Sequence, residues 1–398
     1  MLNTPFAPWP HFTDEEIEAV ASVLRSNRVN YWTGEEGRHF EREYADWVGT
    51  KHAIALTNGT VALDLALKGL DIGEGDEVVV SPRTFIASAS CVVNAGAVPI
   101  FADVDRESGN ISAETIEPVL TERTKVIIPV HIAGWPADMD PIMALAQERG
   151  IKVIEDCAQA HGARDKGRSV GSIGDIGAWS FCQDKIMTTG GEGGMVTVND
   201  DRLWSKMWSY KDHGKSWDAV YERQHPPGYR WLHESFGTNW RMLEMQAVLG
   251  RIQLRRMADW TAARTANARS ISEALEPLAG VGGPVRLAHF DEERFTHAYY
   301  RFYCYVRPEN LAEGWGRDRI VAEIVASGVP CFQGTCSEVY LEKAFKDAGL
   351  GPKQRLPVAR ELGETSLMLL VHPTLTHEQI RKTGSVAARV LGAAALSA

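Results

Sequence analysis

A lysine placed just beyond an aromatic run and just before a glycine-rich loop is positioned to act as a nucleophile. Lys185 ends the run Ala178-Trp179-Ser180-Phe181-Cys182-Gln183-Asp184-Lys185 and precedes Thr188-Thr189-Gly190-Gly191-Glu192-Gly193-Gly194. Glycines let backbone approach a ligand closely, and a partly desolvated amine loses its charge and can form a Schiff base. A second feature is Ile154-Glu155-Asp156-Cys157-Ala158-Gln159-Ala160-His161-Gly162, which puts a carboxylate at the end of an apolar run. Burying Asp156 costs free energy unless a positive or donating partner meets it, and a protonated heterocyclic nitrogen would serve. The third, Thr57-Asn58-Gly59-Thr60, bends at Gly59 from strand into helix. Free N–H groups at a helix start bind phosphate, and the Thr60 hydroxyl adds a donor. The fourth, Gly237-Thr238-Asn239-Trp240-Arg241-Met242, is a polar turn ahead of an amphipathic helix from Leu243 to Met257.

Read singly, each feature has a plainer account. Lys185 is then a surface lysine, Glu155 or Asp156 a solvent-facing loop acid, and His161 a hydrogen-bonded structural residue. The two turns are helix starts with polar caps. Read together, they supply a phosphate cradle, an acid for a ring nitrogen and a lysine to carry the cofactor, which are the parts that pyridoxal 5'-phosphate requires.

The elements that must hold these groups alternate in type. Short β-branched runs at Ala53-Leu56, Glu77-Val80, Val98-Phe101, Lys125-Ile128 and Lys152-Ile154 are separated by helical segments starting near Gly59, Thr84 and Asp138. Near-continuous apolar strands between helices imply an α/β fold with a mostly parallel sheet covered on both faces. Ligands then lie at the carboxyl ends of the strands. Thr13 with Glu16 forms a capping box for a first helix. Beyond about residue 250 the pattern changes to a helix over Arg255–Leu275, an alternating strand over His297–Val306, and helices over Arg317–Ala326 and Thr376–Leu391. The expected division is a large α/β domain with an N-terminal helical segment over 1–250 and a small α+β domain over 251–398. Gly392–Ala398 reads as a frayed tail.

Composition limits the class. The chain has 398 residues, 44% apolar and 24% charged, enough for a large buried core in two to three domains. With 42 basic against 52 acidic residues the net charge is −10, which argues against nucleic acid as a partner. No apolar run has the length of a membrane span and no signal peptide is visible, so a cytoplasmic protein is expected. Six cysteines without a CxxC pair, and twelve scattered histidines, point to neither disulfides nor a metal site, Cys331 and Cys336 being the one close pair.

The runs Asn58-Gly59-Thr60-Val61-Ala62-Leu63, Gly75-Asp76-Glu77-Val78, Pro129-Val130-His131, Pro136-Ala137-Asp138-Met139-Asp140, Glu155 to Ala163 and Gly191-Glu192-Gly193-Gly194 resemble, in order and spacing, the DegT/StrS family of sugar aminotransferases. The resemblance runs from about Thr13 to the C-terminus. It implies the fold type I architecture, a homodimer with active sites at the subunit interface, and transfer of an amino group, with L-glutamate as donor, to a nucleotide-linked keto-sugar in amino-sugar biosynthesis, such as that of O-antigen. Matched by motif, Lys185 carries the cofactor and moves the proton. Asp156 pairs with the pyridinium nitrogen, Gln159 with the phenolic oxygen, and Phe85 stacks on the ring. Gly59, Thr60 and Ser180 hold the phosphate, which Asn239 reaches from the partner subunit. Arg28, Lys211, Arg230 and Arg241 are candidates for the substrate diphosphate by location near matched motifs.

Two stretches depart from the family. Ser180-Phe181-Cys182-Gln183-Asp184-Lys185 stands where the usual strand is Ser-Phe-aromatic-Pro-x-Lys, with the Ser and Lys spacing kept. Pro330 to Tyr340 replaces a His-Tyr-Pro-type stretch that borders the sugar site. A keto-cyclitol or antibiotic-precursor aminotransferase is therefore a second reading, and a non-catalytic binding or regulatory protein with the same fold a third. Lys185 argues against the dehydratase branch, which has His at that position.

Overall fold

The computed structural model describes residues 6–225, 228 and 230–396. Its strands in chain order are β1 (His52–Leu56), β2 (Glu77–Val80), β3 (Val98–Phe101), β4 (Thr124–Ile128), β5 (Lys152–Asp156), β6 (Arg164–Asp165) and β7 (Arg168–Ser169). There follow β8 (Ile176–Ser180), β9 (Gly194–Val198), β10 (Val285–Leu287), β11 (Phe295–Thr296), β12 (Phe302–Val306), β13 (Cys331–Phe332) and β14 (Ser366–Leu369).

Seven of these make the central sheet, in the order β1-β9-β8-β5-β4-β2-β3. Only β9 runs against the others, pairing antiparallel with both β1 and β8. Every residue of β2, β8 and β9 is buried, as a sheet covered on both faces requires. On one side pack Gly59–Gly69 and Asp201–Lys211, whose Leu63, Leu67 and Met207 join Val78, Val80, Ile128 and Ile154 in one apolar cluster. On the other, Met139–Arg149 contributes Met139, Ile142 and Leu145 beneath Val79, Ile127 and Val153. The sheet's alternation thus explains both clusters, since successive side chains leave opposite faces.

A second sheet, β10-β12-β14-β13, is antiparallel and has its own apolar cluster with the helices Met257–Leu275, Arg317–Ala326 and His377–Ala394. The third, β11-β6-β7, is a small ribbon. The capping box at Thr13 is present, with the Thr13 N–H donating to Glu16 Oε2 at 2.8 Å, ahead of helix Asp14–Ser26. Thr376 and Gln379 cap the last helix in the same way.

Four details differ from expectation. Helix Glu36–Val48 falls in a stretch to which no element was assigned; its Phe40, Tyr44, Ala45 and Val48 are buried. The strand expected over His297–Val306 begins only at Phe302, because Tyr299 adopts φ 46° and its N–H donates to His297 Nδ1, closing a turn. The helix expected from Arg255 starts at Met257, after a break at Arg256. The last helix continues to Ala394 with Leu391 and Ala394 buried, so residues 392–394 are helical rather than frayed, while Ser397 and Ala398 lie outside the described residues.

Candidate active site

A cavity of about 840 Å³ opens where β5 and β8 end, with Gly59, Thr60, Phe85, Asp156, Gln159, Ser180 and Lys185 all on its wall. These residues lie far apart in sequence and are gathered by the parallel strands, whose carboxyl ends share one edge.

Helix Gly59–Gly69 points its first turn at this cavity. Asn58 caps it by accepting the Val61 N–H at 3.0 Å, which leaves the Gly59 and Thr60 N–H groups to offer to an anion. Gly59 lies against the last residue of β8. A Cβ at Gly59 would stand 2.5 Å from Ser180 Cβ, so only glycine fits this close approach. Cradle and strand therefore form a single anion-binding corner.

Asp156 ends β5 and is almost wholly buried. Its Oδ1 accepts the Ala158 N–H at 3.0 Å and its Oδ2 the Ser88 hydroxyl at 2.6 Å. Because an ionised carboxylate only accepts, the Ser88 proton is committed to it, and Thr84 Oγ1, 2.7 Å away, must donate to Ser88. The preceding Glu155 faces the other way. Its carboxylate takes the Ile173 and Gly174 N–H groups and the Nε2 proton of His131 at 3.0 Å. Burial by itself would raise the Glu155 pKa, but those hydrogen bonds outweigh it and the net shift is downward. The ambiguity between the two acids is thereby resolved by strand alternation: Asp156 is on the cavity wall and Glu155 ties the sheet to its neighbouring loops.

Gln159 uses Oε1 to accept the Ala133 N–H at 2.9 Å, which orients the amide and leaves Nε2 as its donor. Phe85 is 65% exposed, an unusual state for a phenyl ring that a flat ligand would end. Lys185 lies with Nζ 5.1 Å from the centre of the Tyr300 ring, and its backbone carbonyl accepts the indole N–H of Trp9 at 2.8 Å. Trp9 is itself seated against Trp260, His372 and Arg264. His161 is fully buried between Trp179 and Phe181 with neither ring nitrogen hydrogen-bonded. Burial, then the fields of Lys185 and Arg264, push its pKa down to about 3, so the ring is neutral. His161 is thus not on the cavity wall.

The cations expected at a substrate diphosphate do not gather here. Arg28 and Arg230 are exposed and stand off the cavity wall. Lys211 is sealed inside the protein, its Nζ 3.3 Å from Glu41 and 3.8 Å from the centre of the Tyr31 ring, and burial lowers its pKa. Arg241 is bound to the buried Asp212 at 2.5 Å. Lys211 and Arg241 are therefore each paired with a carboxylate of this chain and stand off the cavity wall. Asn239 is exposed and outside the cavity of its own chain. Sequence reasoning missed Tyr300 and Arg301, which reach the cavity from more than a hundred residues beyond Lys185 and carry no local motif.

His131, Glu155 and Cys157 bring potential metal-ligating atoms within 4.8 Å of one another. They do not make a metal site. His131 Nδ1 already accepts the Ala137 N–H at 2.9 Å, and Nε2 donates to Glu155, so neither nitrogen offers a lone pair.

A donor-lined anion corner, a buried carboxylate, an oriented amide and a lysine around one cavity fit pyridoxal 5'-phosphate, and with this sheet they define a fold type I pyridoxal phosphate enzyme. Comparison with known proteins agrees. The DegT/DnrJ/EryC1/StrS aminotransferase family model matches residues 10–387, and the chain belongs to that family. It is 36% identical over 390 residues to the UDP-N-acetyl-3-dehydro-alpha-D-glucosamine 3-aminotransferase of Acidithiobacillus ferrooxidans, covering 98% of this chain and 96% of that protein. The X-ray structure of an aminotransferase from Psychrobacter cryohalolentis is 63% identical, superposes with a TM-score of 0.96, and covers 98% of this chain and 100% of that one. A Streptococcus pneumoniae protein described as a sugar aminotransferase, solved in its PLP form, is 25% identical with a TM-score of 0.84, covering 98% and 99%. The protein is a pyridoxal phosphate-dependent aminotransferase. No helix among the described residues is long and apolar enough to cross a membrane.

Proposed function

We propose that this aminotransferase moves an amino group from L-glutamate to a keto-sugar carried on a nucleotide, for amino-sugar biosynthesis in the cytoplasm. The observation that carries the reading is the shared wall of Gly59, Asp156, Gln159 and Lys185 around a cavity of about 840 Å³. That volume is toward the upper end of the roughly 300–1,000 Å³ typical of ligand pockets, room for a cofactor and a sugar together. The action of the A. ferrooxidans relative on a UDP-linked 3-dehydro sugar supports the acceptor class.

When bound, pyridoxal phosphate supplies an electron sink for the carbon that gains or loses nitrogen. The protein's own groups do the rest. The Gly59 and Thr60 N–H groups and the Ser180 hydroxyl hold the phosphate. Asp156, oriented by its hydrogen bonds from Ser88 and Ala158, holds the proton on the ring nitrogen. Gln159 Nε2 donates to the phenolic oxygen, and Phe85 covers one face of the ring. Lys185 Nζ accepts a proton at one carbon and returns it at the next, which a single amine on a mobile stem can do. Asn239, exposed on its own subunit, meets the phosphate of a second copy, making a homodimer the working unit. Exposed Arg28 and Arg230 are the remaining candidates for the diphosphate.

The test is the visible spectrum of the purified protein with pyridoxal phosphate, before and after L-glutamate, followed by borohydride trapping and peptide mapping. Yellow absorbance that bleaches on glutamate, with the trapped label on Lys185, is expected. No absorbance, or a label elsewhere, would overturn the reading. A panel of keto-sugar nucleotides and keto-cyclitols then separates the two acceptor classes.

A further inference from the structure

Lys185 belongs to neither a strand nor a helix. It stands in the turn that follows β8, where its N–H donates to the Cys182 carbonyl at 3.1 Å, and the intervening Gln183 and Asp184 lack the fixed φ of proline. A long, flexible stem delivers its amine to one point only if the backbone that bears it is held. Most of that hold comes from outside the central sheet.

The Lys185 carbonyl accepts the Trp9 indole N–H at 2.8 Å, from a residue 176 positions earlier in the chain. Residues 6–13 form no helix or strand and act as a strap laid on the body built around the second sheet. Phe6 packs on the apolar cluster of that body, with Lys382 Nζ 5.8 Å from the centre of its ring. The Thr374 hydroxyl donates to the Pro8 carbonyl at 3.0 Å. The Trp9 ring meets Trp260 edge-on at 5.2 Å and stacks on His372 at 5.8 Å.

Arg264, fully buried on helix Met257–Leu275, completes the seat. Its Cζ is 5.0 Å from the centre of the Trp9 ring, and its Nη1 donates to the Tyr299 and Tyr300 carbonyls at 3.3 Å and 3.4 Å. The Tyr300 hydroxyl in turn donates to Asp184, the residue before Lys185. The lysine is therefore held from two sides, at its own carbonyl by Trp9 and at the preceding side chain by Tyr300, and both holders rest on one guanidinium. Trp9 is seated by Trp260, His372 and Arg264 without any help from Lys185, so its single polar atom is free to serve the lysine. We infer that Trp9 is a positioning residue for Lys185, fixing the lysine backbone before the cofactor arrives so that the bond between them needs no further ordering of the chain. This rests on the reading of Lys185 as the residue that bonds pyridoxal phosphate. It also ties the stance of the reactive amine to the body on which the strap lies.

The experiment is equilibrium dialysis of the full-length protein against pyridoxal 5'-phosphate and, separately, 4'-deoxypyridoxine 5'-phosphate, for wild type, Trp9→Phe and Thr374→Val. The second ligand keeps the ring and the phosphate but has a methyl group in place of the aldehyde, so it makes no bond to Lys185. Phenylalanine keeps an aromatic ring in the seat and removes only the N–H donor with the second ring of the indole. Because fixing the backbone of one residue changes an equilibrium constant about 5- to 30-fold, Trp9→Phe should weaken pyridoxal phosphate by that factor and leave the deoxy analogue within about twofold of wild type. A merely structural role would not separate the two ligands. Thr374→Val frees Pro8 while leaving Trp9 intact; it should show the same selectivity at smaller size, and it carries the test alone if Trp9→Phe does not fold. Unchanged affinity for pyridoxal phosphate would overturn the proposal, and so would an equal loss for both ligands, which marks general damage to the site. If the wild type itself binds the two ligands equally, Lys185 does not bond the cofactor, and the underlying reading falls together with this one.

Discussion

Gly59→Ala is the sharpest probe of the anion corner, because it alters space without altering any donor. The alanine keeps the N–H that faces the phosphate and adds one methyl group, at 2.5 Å from Ser180 Cβ, 2.9 Å from its Oγ and 3.1 Å from its Cα. Rotating the serine moves only Oγ, since Cβ and Cα travel with β8. The helix start and the strand end must therefore separate by about 1 Å to restore ordinary contact. Overpacking of this kind costs about 1–3 kcal/mol. If the strain is relieved by drawing the helix away from Ser180, the two halves of the phosphate site no longer close on one anion, and the cofactor dissociation constant rises by about 5- to 150-fold. The assay is equilibrium titration of the cofactor-free protein with pyridoxal phosphate, alongside urea unfolding of the same protein to register strain that remains unrelieved. Ser180→Gly in the same background removes the opposing Cβ and should recover much of any lost stability, while the affinity is compared with that of Ser180→Gly alone in a double-mutant cycle, because that change also removes the hydroxyl donor. Unchanged affinity together with unchanged stability in Gly59→Ala would refute the reasoning.

Lys211→Ala tests whether this cation is structural. It strands Glu41 beside the Tyr31 hydroxyl with no counter-charge, so unfolding free energy should fall by about 3–5 kcal/mol in urea titrations, with the affinity for pyridoxal phosphate unchanged. Normal stability would return Lys211 to the list of substrate-binding candidates. Acid should destabilise the protein through its buried imidazoles. Burial pushes His161, His297 and His372 down to about 3, while in the unfolded chain they titrate near about 6.5. Between those values the unfolded state holds more protons, so stability is retained above the upper limit and declines as pH falls through the window, by about 1.4 kcal/mol per pH unit for each histidine. His161→Phe should remove one proton from the uptake measured by urea unfolding between pH 6 and pH 4.5; an unaltered slope would mean that His161 is charged in the fold.

The parallel strands were legible because β-branched runs recur between helical segments, and so was the anion corner, because Asn58 and Gly59 stand where one such run turns into a helix. The direction of β9 was not, since an apolar run is the same read either way and only its partners decide. Helix Glu36–Val48 did carry a signal in the four-residue spacing of Phe40, Tyr44 and Val48, obscured by the charges between them. The burial of Lys211 was not legible, for a different reason. Its neighbourhood of Trp208 and Tyr210 belongs to a helix, and nothing local tells a lysine above such rings from one folded under them. Arg301 and Tyr300 could not be found at all by motif, because their relation to Lys185 exists only across the gap between two sheets.

Trp9 also has a temporal meaning. The residue that holds the Lys185 carbonyl is made long before the residues that seat it, Trp260, Arg264 and His372, and before Thr374, which clasps the Pro8 carbonyl beside it. At about 5–20 residues per second, that seat is complete only some 20–70 s after Trp9 has been made. The lysine's floor therefore sets only after those residues have been made, and until then a nascent chain holds its reactive amine in an unfinished site.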